Sequence, residues 1–528
     1  MKKYVIFILL QFFCIFNIRA NDSINRVVDI QVQKFRNILE TIYNNYYRED
    51  IDLVNISEVA FNSLLQSLDK FCNYYPSSQY QAIKDSYKGS TKGIGIQFFR
   101  RGDSLIIFHI VKGSPADSVG LLVGDRVIYI NHEYCVGKDA NFANKKIQES
   151  KNNIVIVTVK RDNLLKEFLI PLKEVEIPSV VTKLKIGNDL GFIRINRFSL
   201  TTYNEITGSL DSLIKIGCKF FAIDLRNNQG GYLDEVVKIC NLFLRKGDTI
   251  VIVSGKNENR RVEIANQQGK YLKYPLVVIV DENTASGGEI LASCLQDNDR
   301  AIVIGTRTFG KGLVQRTWEF KDGSAFRLTT AEYVSPLGRK IQKDETDKVE
   351  FDNFSNVTLS EEQKKNIEDM IKQFGIKTKL PTYFTKKGRP ILGGGGVFPD
   401  YFFVTDTTPQ YLKKLKTNGL MNDFVIRNFI DDPKSVMSLM KHNLSSFIIN
   451  FEVLDNTILN FRQYLTQKNA FLEKNFTEEK NQIVLEIKAT LGYILFGDVG
   501  YYSVVLLNDK VLSKINELRK EAEKMVNN

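Results

Sequence analysis

Pro275-Leu276-Val277-Val278-Ile279-Val280-Asp281, followed by Asn283-Thr284-Ala285-Ser286-Gly287-Gly288-Glu289-Ile290, decides how this chain folds. A short apolar run, a turn and a helical pattern over Glu289 to Gln296 read as strand, turn and helix. Ser286 stands on the turn, with its hydroxyl exposed beside the unpaired amides of a helix N-terminus. A serine used for chemistry needs a base. The chain has only three histidines, His109, His132 and His442, and none lies between Glu133 and Lys441. A lysine is the remaining option. Lys311 is the natural candidate, 25 residues after Ser286 in Phe309-Gly310-Lys311-Gly312-Leu313-Val314-Gln315.

Around this stretch the pattern is α/β. Strand-like runs at Leu190 to Ile195, Phe220 to Leu225, Leu276 to Val280 and Ala301 to Ile304 alternate with helical patterns at Tyr203 to Ile216 and Leu233 to Leu244. Such alternation predicts a layered unit, here over residues 176–408. A hairpin follows, Leu313 to Phe320 and Ser324 to Val334, around Lys321-Asp322-Gly323. Residues 344–387 are polar and read as an insertion with a helix at Ser360 to Phe374. The run Gly393 to Gly396 predicts backbone closely approached by another element.

Upstream, residues 21–88 carry apolar positions at helical spacing. Residues 89–175 are β-rich, with Gly93-Ile94-Gly95-Ile96, then Gly113-Ser114-Pro115-Ala116, then Gly124-Asp125-Arg126-Val127-Ile128. In that order these marks resemble a PDZ domain. The resemblance implies that a peptide adds as a strand to an open sheet edge, with its terminal carboxylate at the backbone N–H groups of Gly93, Ile94, Gly95 and Ile96. Residues 409–528 are mostly helical and carry no chemical motif, which predicts a packing or dimerisation region.

The full chain has 528 residues, 43% hydrophobic and 25% charged, with a net charge of +11. That suits several globular domains. Lys2 and Lys3, the apolar run Tyr4 to Phe16 and the small residue Ala20 read as a secretory signal peptide over residues 1–20. The apolar run is shorter than the roughly 20 residues of a bilayer span. Basic residues form no stripe with aromatics, which argues against nucleic acid. Of six cysteines, Cys14 falls in the signal; the remaining Cys72, Cys135, Cys218, Cys240 and Cys294 are odd in number and widely spaced, so buried thiols are expected, with no disulfide framework and no metal site.

Together these residues resemble the C-terminal processing peptidases (tail-specific proteases), over about residues 30 to 405. The likeness rests on Leu68-Asp69, Gly93-Ile94-Gly95, Asp224-Leu225-Arg226-Asn227-Asn228-Gln229-Gly230-Gly231, Ser286-Gly287-Gly288-Glu289-Ile290, Phe309-Gly310-Lys311-Gly312 with Gln315, and Gly338-Arg339-Lys340-Ile341-Gln342. The four-glycine run and helical tail look like the form found in Bacteroidota. Gln229 departs from a usual proline, Gly287-Gly288 from Ala-Ser, and Lys70-Phe71-Cys72 from Pro-His-Ser.

The resemblance implies a multidomain α+β protein: a PDZ domain joined to a layered α/β core of the ClpP/crotonase kind, with helical N- and C-terminal regions. Ser286 is then the nucleophile, Lys311 the general base and Gln315 the group that orients its amine. The N–H of Gly287 is one oxyanion donor, and Gly230 or Gly231 supplies another. A free lysine has a pKa near roughly 10.4, so the base needs apolar cover, for which Phe309, Leu313 and Val314 are at hand. Gln315 accepts a hydrogen bond without adding negative charge. Asp69, Asp224, Arg226 and Glu289 read as structural.

The implied activity is that of an exported, periplasmic serine endopeptidase with no cofactor and no metal. Its substrates are protein or peptide chains with exposed C-terminal tails. A homodimer through the helical termini, and inner-membrane association if the signal stays uncleaved, belong to the same expectation. Two other classes fit parts of the chain: a catalytically silent PDZ adaptor, and an acyl-CoA enzyme on the crotonase-like core. Retention of Ser286, Lys311 and Gln315 argues against the first, and the signal peptide against the second.

Overall fold

The computed structural model describes residues 2–256, 258–343, 380–403, 408–431, 438, 443–506 and 508–527. The predicted helix at Ser360 to Phe374, and His442, lie outside the described residues. The chain forms two compact units, Met1–Tyr80 with Gln315–Thr329, and Gln81–Val314 with Thr330–Asn528.

In the smaller unit a helix, Lys2–Asn45, runs through the predicted signal into the amino-terminal region. Among the described residues no helix is long and apolar enough to cross a membrane. A second helix, Leu53–Gln66, starts where the Asp52 side chain accepts from the N–H of Asn55. It buries none of its residues, and Val54, Val59 and Leu64 stay exposed. The Phe61 ring packs between Phe35 and Tyr74, at 5.8 and 5.5 Å. Asp69 then accepts from the N–H groups of Phe71 and Cys72 and turns the chain into strand Asn73–Tyr75, which pairs with Ala325 to Arg327.

In the larger unit the predicted PDZ region is an antiparallel sheet in the order Ile96–Arg101, Ser104–Ile110, Arg126–Ile130, Ile154–Arg161, Leu164–Pro171. Side chains alternate across it. Leu105 and Ile107 enter the domain's own core with Val127, Val155 and Val157, while Ile106 and Phe108 face the other way. That second face is not open to solvent. It joins one core with Leu412, Phe424, Phe461, Ile487 and Leu491 of the C-terminal helices. Arg101 pairs with Asp431 at 2.9 Å, and His109 Nδ1 lies 3.1 Å from the carbonyl of Ile494.

The α/β region is a six-stranded sheet in the order Val180–Ile186, Leu190–Ile195, Phe220–Asp224, Leu276–Val280, Ile302–Gly305, Tyr401–Phe402. Every pair after the first is parallel. One face buries Ile193, Ile223, Val278 and Val303 under helices Thr202–Lys215, Leu233–Asn241 and Gly287–Asp297. The other buries Phe192, Ala222, Ile279 and Ile304 under helices Val511–Glu517 and Arg519–Asn527, through Val511, Ile515 and Leu518. A buried parallel sheet needs cover on both faces. The last helices of the chain therefore complete the core that the sequence pattern ended near residue 408. Cys72, Cys135, Cys218, Cys240 and Cys294 are all free and buried.

At the C-terminal edge of this sheet Asp224 is fully buried between Arg194 and Arg226, at 2.6 and 2.7 Å, and Arg226 reaches Asp509 at 2.6 Å. Burial alone would raise the Asp224 carboxyl, but the two guanidinium groups overturn that and hold it below its ordinary value. A depressed carboxylate contributes stability that is present above its unfolded value and lost as pH falls through the folded one. Asp224→Asn should therefore cost about 3–5 kcal/mol at neutral pH and flatten the acid side of the stability curve. Denaturant melts of both proteins across the acid range check this.

Candidate active site

The turn after strand Leu276–Val280 is stitched to the loop after strand Phe220–Asp224. Asp281 accepts the N–H of Asn227 at 3.0 Å, the Thr284 hydroxyl donates to the Leu225 carbonyl at 2.8 Å, and the Ala285 N–H donates to the Asn228 carbonyl at 2.8 Å. Ser286 follows with φ +53° and ψ −114°, at the N-cap of helix Gly287–Asp297. For a residue with a Cβ this conformation costs on the order of 1–3 kcal/mol, so the surroundings must impose it. The result is a serine on the sharp strand-to-helix turn that the sequence predicts, half-buried where the sequence reading expected an exposed hydroxyl.

Gly230 seats that turn. Its φ is +94°, and a Cβ there would lie 2.7 Å from Ser286 Cβ and 2.8 Å from the Gly287 nitrogen. Its N–H donates to Asn228 Oδ1 at 2.8 Å. Among the described residues the N–H groups of Gly231 and Gly287 meet no protein acceptor. Gln229 is exposed. Gly287 has a steric reason: a Cβ would come 2.9 Å from Val236 Cγ2 and 3.1 Å from Phe198 Cδ2.

Glu289, one turn into the helix and fully buried, joins this turn to the Lys311 loop. Oε2 accepts the N–H of Ser286 at 2.9 Å and that of Lys311 at 2.8 Å. Oε1 accepts the N–H of Gly310 at 2.7 Å and the Thr308 hydroxyl at 2.5 Å. Burial pushes the carboxyl above its ordinary value, and the four hydrogen bonds pull against that. Tyr333, also buried, donates from its hydroxyl towards the carbonyls of Ser286 and Lys311. The glycine run closes on the same loop, where Val397 N–H donates to Thr308 Oγ1 at 2.6 Å and a Cβ on Gly396 would lie 2.8 Å from the Thr308 carbonyl.

Ser286 and Lys311 thus hang from shared partners, although 25 residues separate them. Lys311 is half-buried, as are Leu313 and Val314. Phe309, expected to give apolar cover, is instead 43% exposed. Gln315 lies on strand Leu313–Glu319 within the smaller unit, where its Nε2 is 3.5 Å from Thr329 Oγ1. His109 and His132 belong to the PDZ region. Among the described residues no group of three or more His, Cys, Asp or Glu side chains could hold a metal ion.

In the PDZ region Ile94 is buried and Gly95 has φ +82°, where a Cβ would fall 2.2 Å from Ser114 Cβ. Ile96 begins the strand at the end of the sheet order, and Phe98 and Phe142 pack against the domain core beside it.

Peptidase family S41 matches residues 189–352 of this chain, and a PDZ domain matches residues 93–172. The carboxy-terminal processing protease CtpA of Bacillus subtilis (strain 168) is 33% identical over 317 residues, 60% of this chain and 67% of that protein. The chain belongs to peptidase family S41, the C-terminal processing peptidases. A probable CtpA-like serine protease of Staphylococcus aureus (strain MSSA476) is 30% identical over 321 residues, so the chain spans 64% of that relative's length. A solved photosystem II D1 C-terminal processing protease matches at 25% identity with a TM-score of 0.33, over 58% of this chain and 83% of that one. The S41 match contains Gly230, Gly231, Ser286, Gly287, Lys311 and Gln315, and the PDZ match contains Gly93 to Ile96.

The sequence marked Glu289 as a structural residue of the serine motif without giving its partners, and Tyr333 only as part of a strand. The carboxylate is built as an acceptor for four donors. Glu289→Gln turns an amide donor towards them and should cost about 1–3 kcal/mol of stability. Chemical denaturation monitored by far-ultraviolet circular dichroism measures it.

Proposed function

We propose that this S41 protein is an exported serine endopeptidase that cuts chains near their C-termini, with Ser286 as nucleophile and Lys311 as general base. The observation that carries this is the strained Ser286 turn, tied through one buried carboxylate to the loop that bears Lys311. Strain held at a serine on a helix N-terminus presents the hydroxyl for attack on a carbonyl. A neutral lysine amine takes the hydroxyl proton and returns it to the departing amine. Gln315 would orient that amine as a neutral acceptor.

The tetrahedral oxyanion would sit between the N–H groups of Gly287 and Gly231, since that of Gly230 is engaged by Asn228. Gly230 then serves by letting the backbone come close. The substrate's tail would add to the open edge of strand Ile96–Arg101, its carboxylate at the Gly93–Ile96 loop, with Phe98 and Phe142 favouring an apolar last residue. Export to the periplasm rests on the residues 1–20 pattern. Self-association through the N-terminal helices is supported by their exposed Val54, Val59 and Leu64.

The test uses an unstructured protein with an apolar C-terminus, either free or amidated. The wild type should cleave the free tail faster, and Ser286→Ala and Lys311→Ala should each lose at least about 1,000-fold in kcat. Equal cleavage by Ser286→Ala would sink the mechanism. Tight binding of free tails with no cleavage across a broad panel would show a silent PDZ adaptor instead.

A further inference from the structure

Ser286 and Lys311 are each held on both sides of their backbone. Their N–H groups share the Glu289 carboxylate. Their carbonyls share the Tyr333 hydroxyl, 2.6 Å from the Lys311 oxygen and 3.1 Å from the Ser286 oxygen. We infer that Tyr333 is a positioning residue for the Ser286–Lys311 pair, its one hydroxyl fixing the nucleophile's turn against the loop that carries the base. The inference rests on the Ser/Lys reading above.

Three features make Tyr333 suited to this. Its own N–H donates to the Gly312 carbonyl at 2.8 Å, so the ring is anchored to the Lys311 loop through the main chain as well as the side chain. It also stands in the register of a sheet, opposite Val253, and is 2% exposed, so the ring has no other place to go. Finally, Ser286 holds an unfavourable φ of +53°, and its carbonyl accepts from the Ile290 N–H of its own helix at 3.0 Å and from the Tyr333 hydroxyl, the donor that reaches it from another element. Burial, and then the Glu289 carboxylate close by, push the phenol well above its ordinary value, so it remains a donor wherever the enzyme works.

A hydroxyl in this place touches no substrate. It acts through the two residues that would, so its loss should misplace them while leaving tail binding intact. Misplacement of reacting groups by a fraction of a bond length to about 1 Å costs up to about 100-fold in rate.

Tyr333→Phe keeps the ring and removes the donor. A matched control is Tyr271→Phe, in the same core, where the hydroxyl serves Thr207 and Asp211 at 3.2 and 2.9 Å. Cleavage of the free-tail substrate is compared per folded molecule, together with Tm. The expected result is a fall in kcat of about 10- to 100-fold for Tyr333→Phe at unchanged KM, with the control losing Tm but not kcat. Three outcomes overturn the inference: full kcat in Tyr333→Phe, a change confined to KM, or failure of Tyr333→Phe alone to fold. Ser286→Ala is run alongside. If it retains activity, the Ser/Lys reading has failed, which is distinct from failure of Tyr333 alone.

Discussion

One buried carboxylate fixes the geometry on which the rest depends. Glu289 is planted in the first turn of helix Gly287–Asp297 and takes hydrogen bonds from the turn behind it and from the Thr308 to Lys311 loop. Burying a charge is costly unless its lone pairs are filled, and here four donors fill them. The donors are backbone and hydroxyl groups of the chemical loops themselves, so satisfying the carboxylate and assembling the site are one event. The glycines at 230, 287, 310 and 396 are the space in which these loops meet. A Cβ at any of them would lie under 3 Å from a neighbouring atom.

The C-terminal helices are the second organising element. They fill the outer face of the PDZ sheet through Ile106 and Phe108, and they roof the parallel sheet through Val511, Ile515 and Leu518. Arg101 to Asp431 and Arg226 to Asp509 pin the two contacts. A single helical region therefore touches both the PDZ region and the strand ends around the candidate site.

Much of this was legible in the sequence where local pattern and fold agree. The runs Leu190–Ile195 and Leu276–Val280 are buried parallel strands and read as unbroken apolar segments. Ser286 was legible because a strand, a small-residue turn and a helix follow one another without a gap. The hairpin Thr249–Gly255 and Glu258–Ile264 was not, because its second strand, Glu258-Asn259-Arg260-Arg261-Val262-Glu263-Ile264, has no apolar run. The contacts of Glu289 and Tyr333 with the Lys311 loop were not legible either, since they join residues more than 20 positions apart. The roof over the parallel sheet escaped for the same reason: Val511, Ile515 and Leu518 have helical spacing, but nothing local says which face they cover.

The central claim is that Ser286 and Lys311 work as one unit. The rate at which a fluorophosphonate labels the protein, followed against pH with the adduct located by mass spectrometry, tests it directly. The account predicts an adduct on Ser286, forming faster as pH rises and the lysine amine loses its proton, and nearly abolished in Lys311→Ala. Labelling of Ser286 at the same rate in Lys311→Ala, or labelling at another residue, would contradict it.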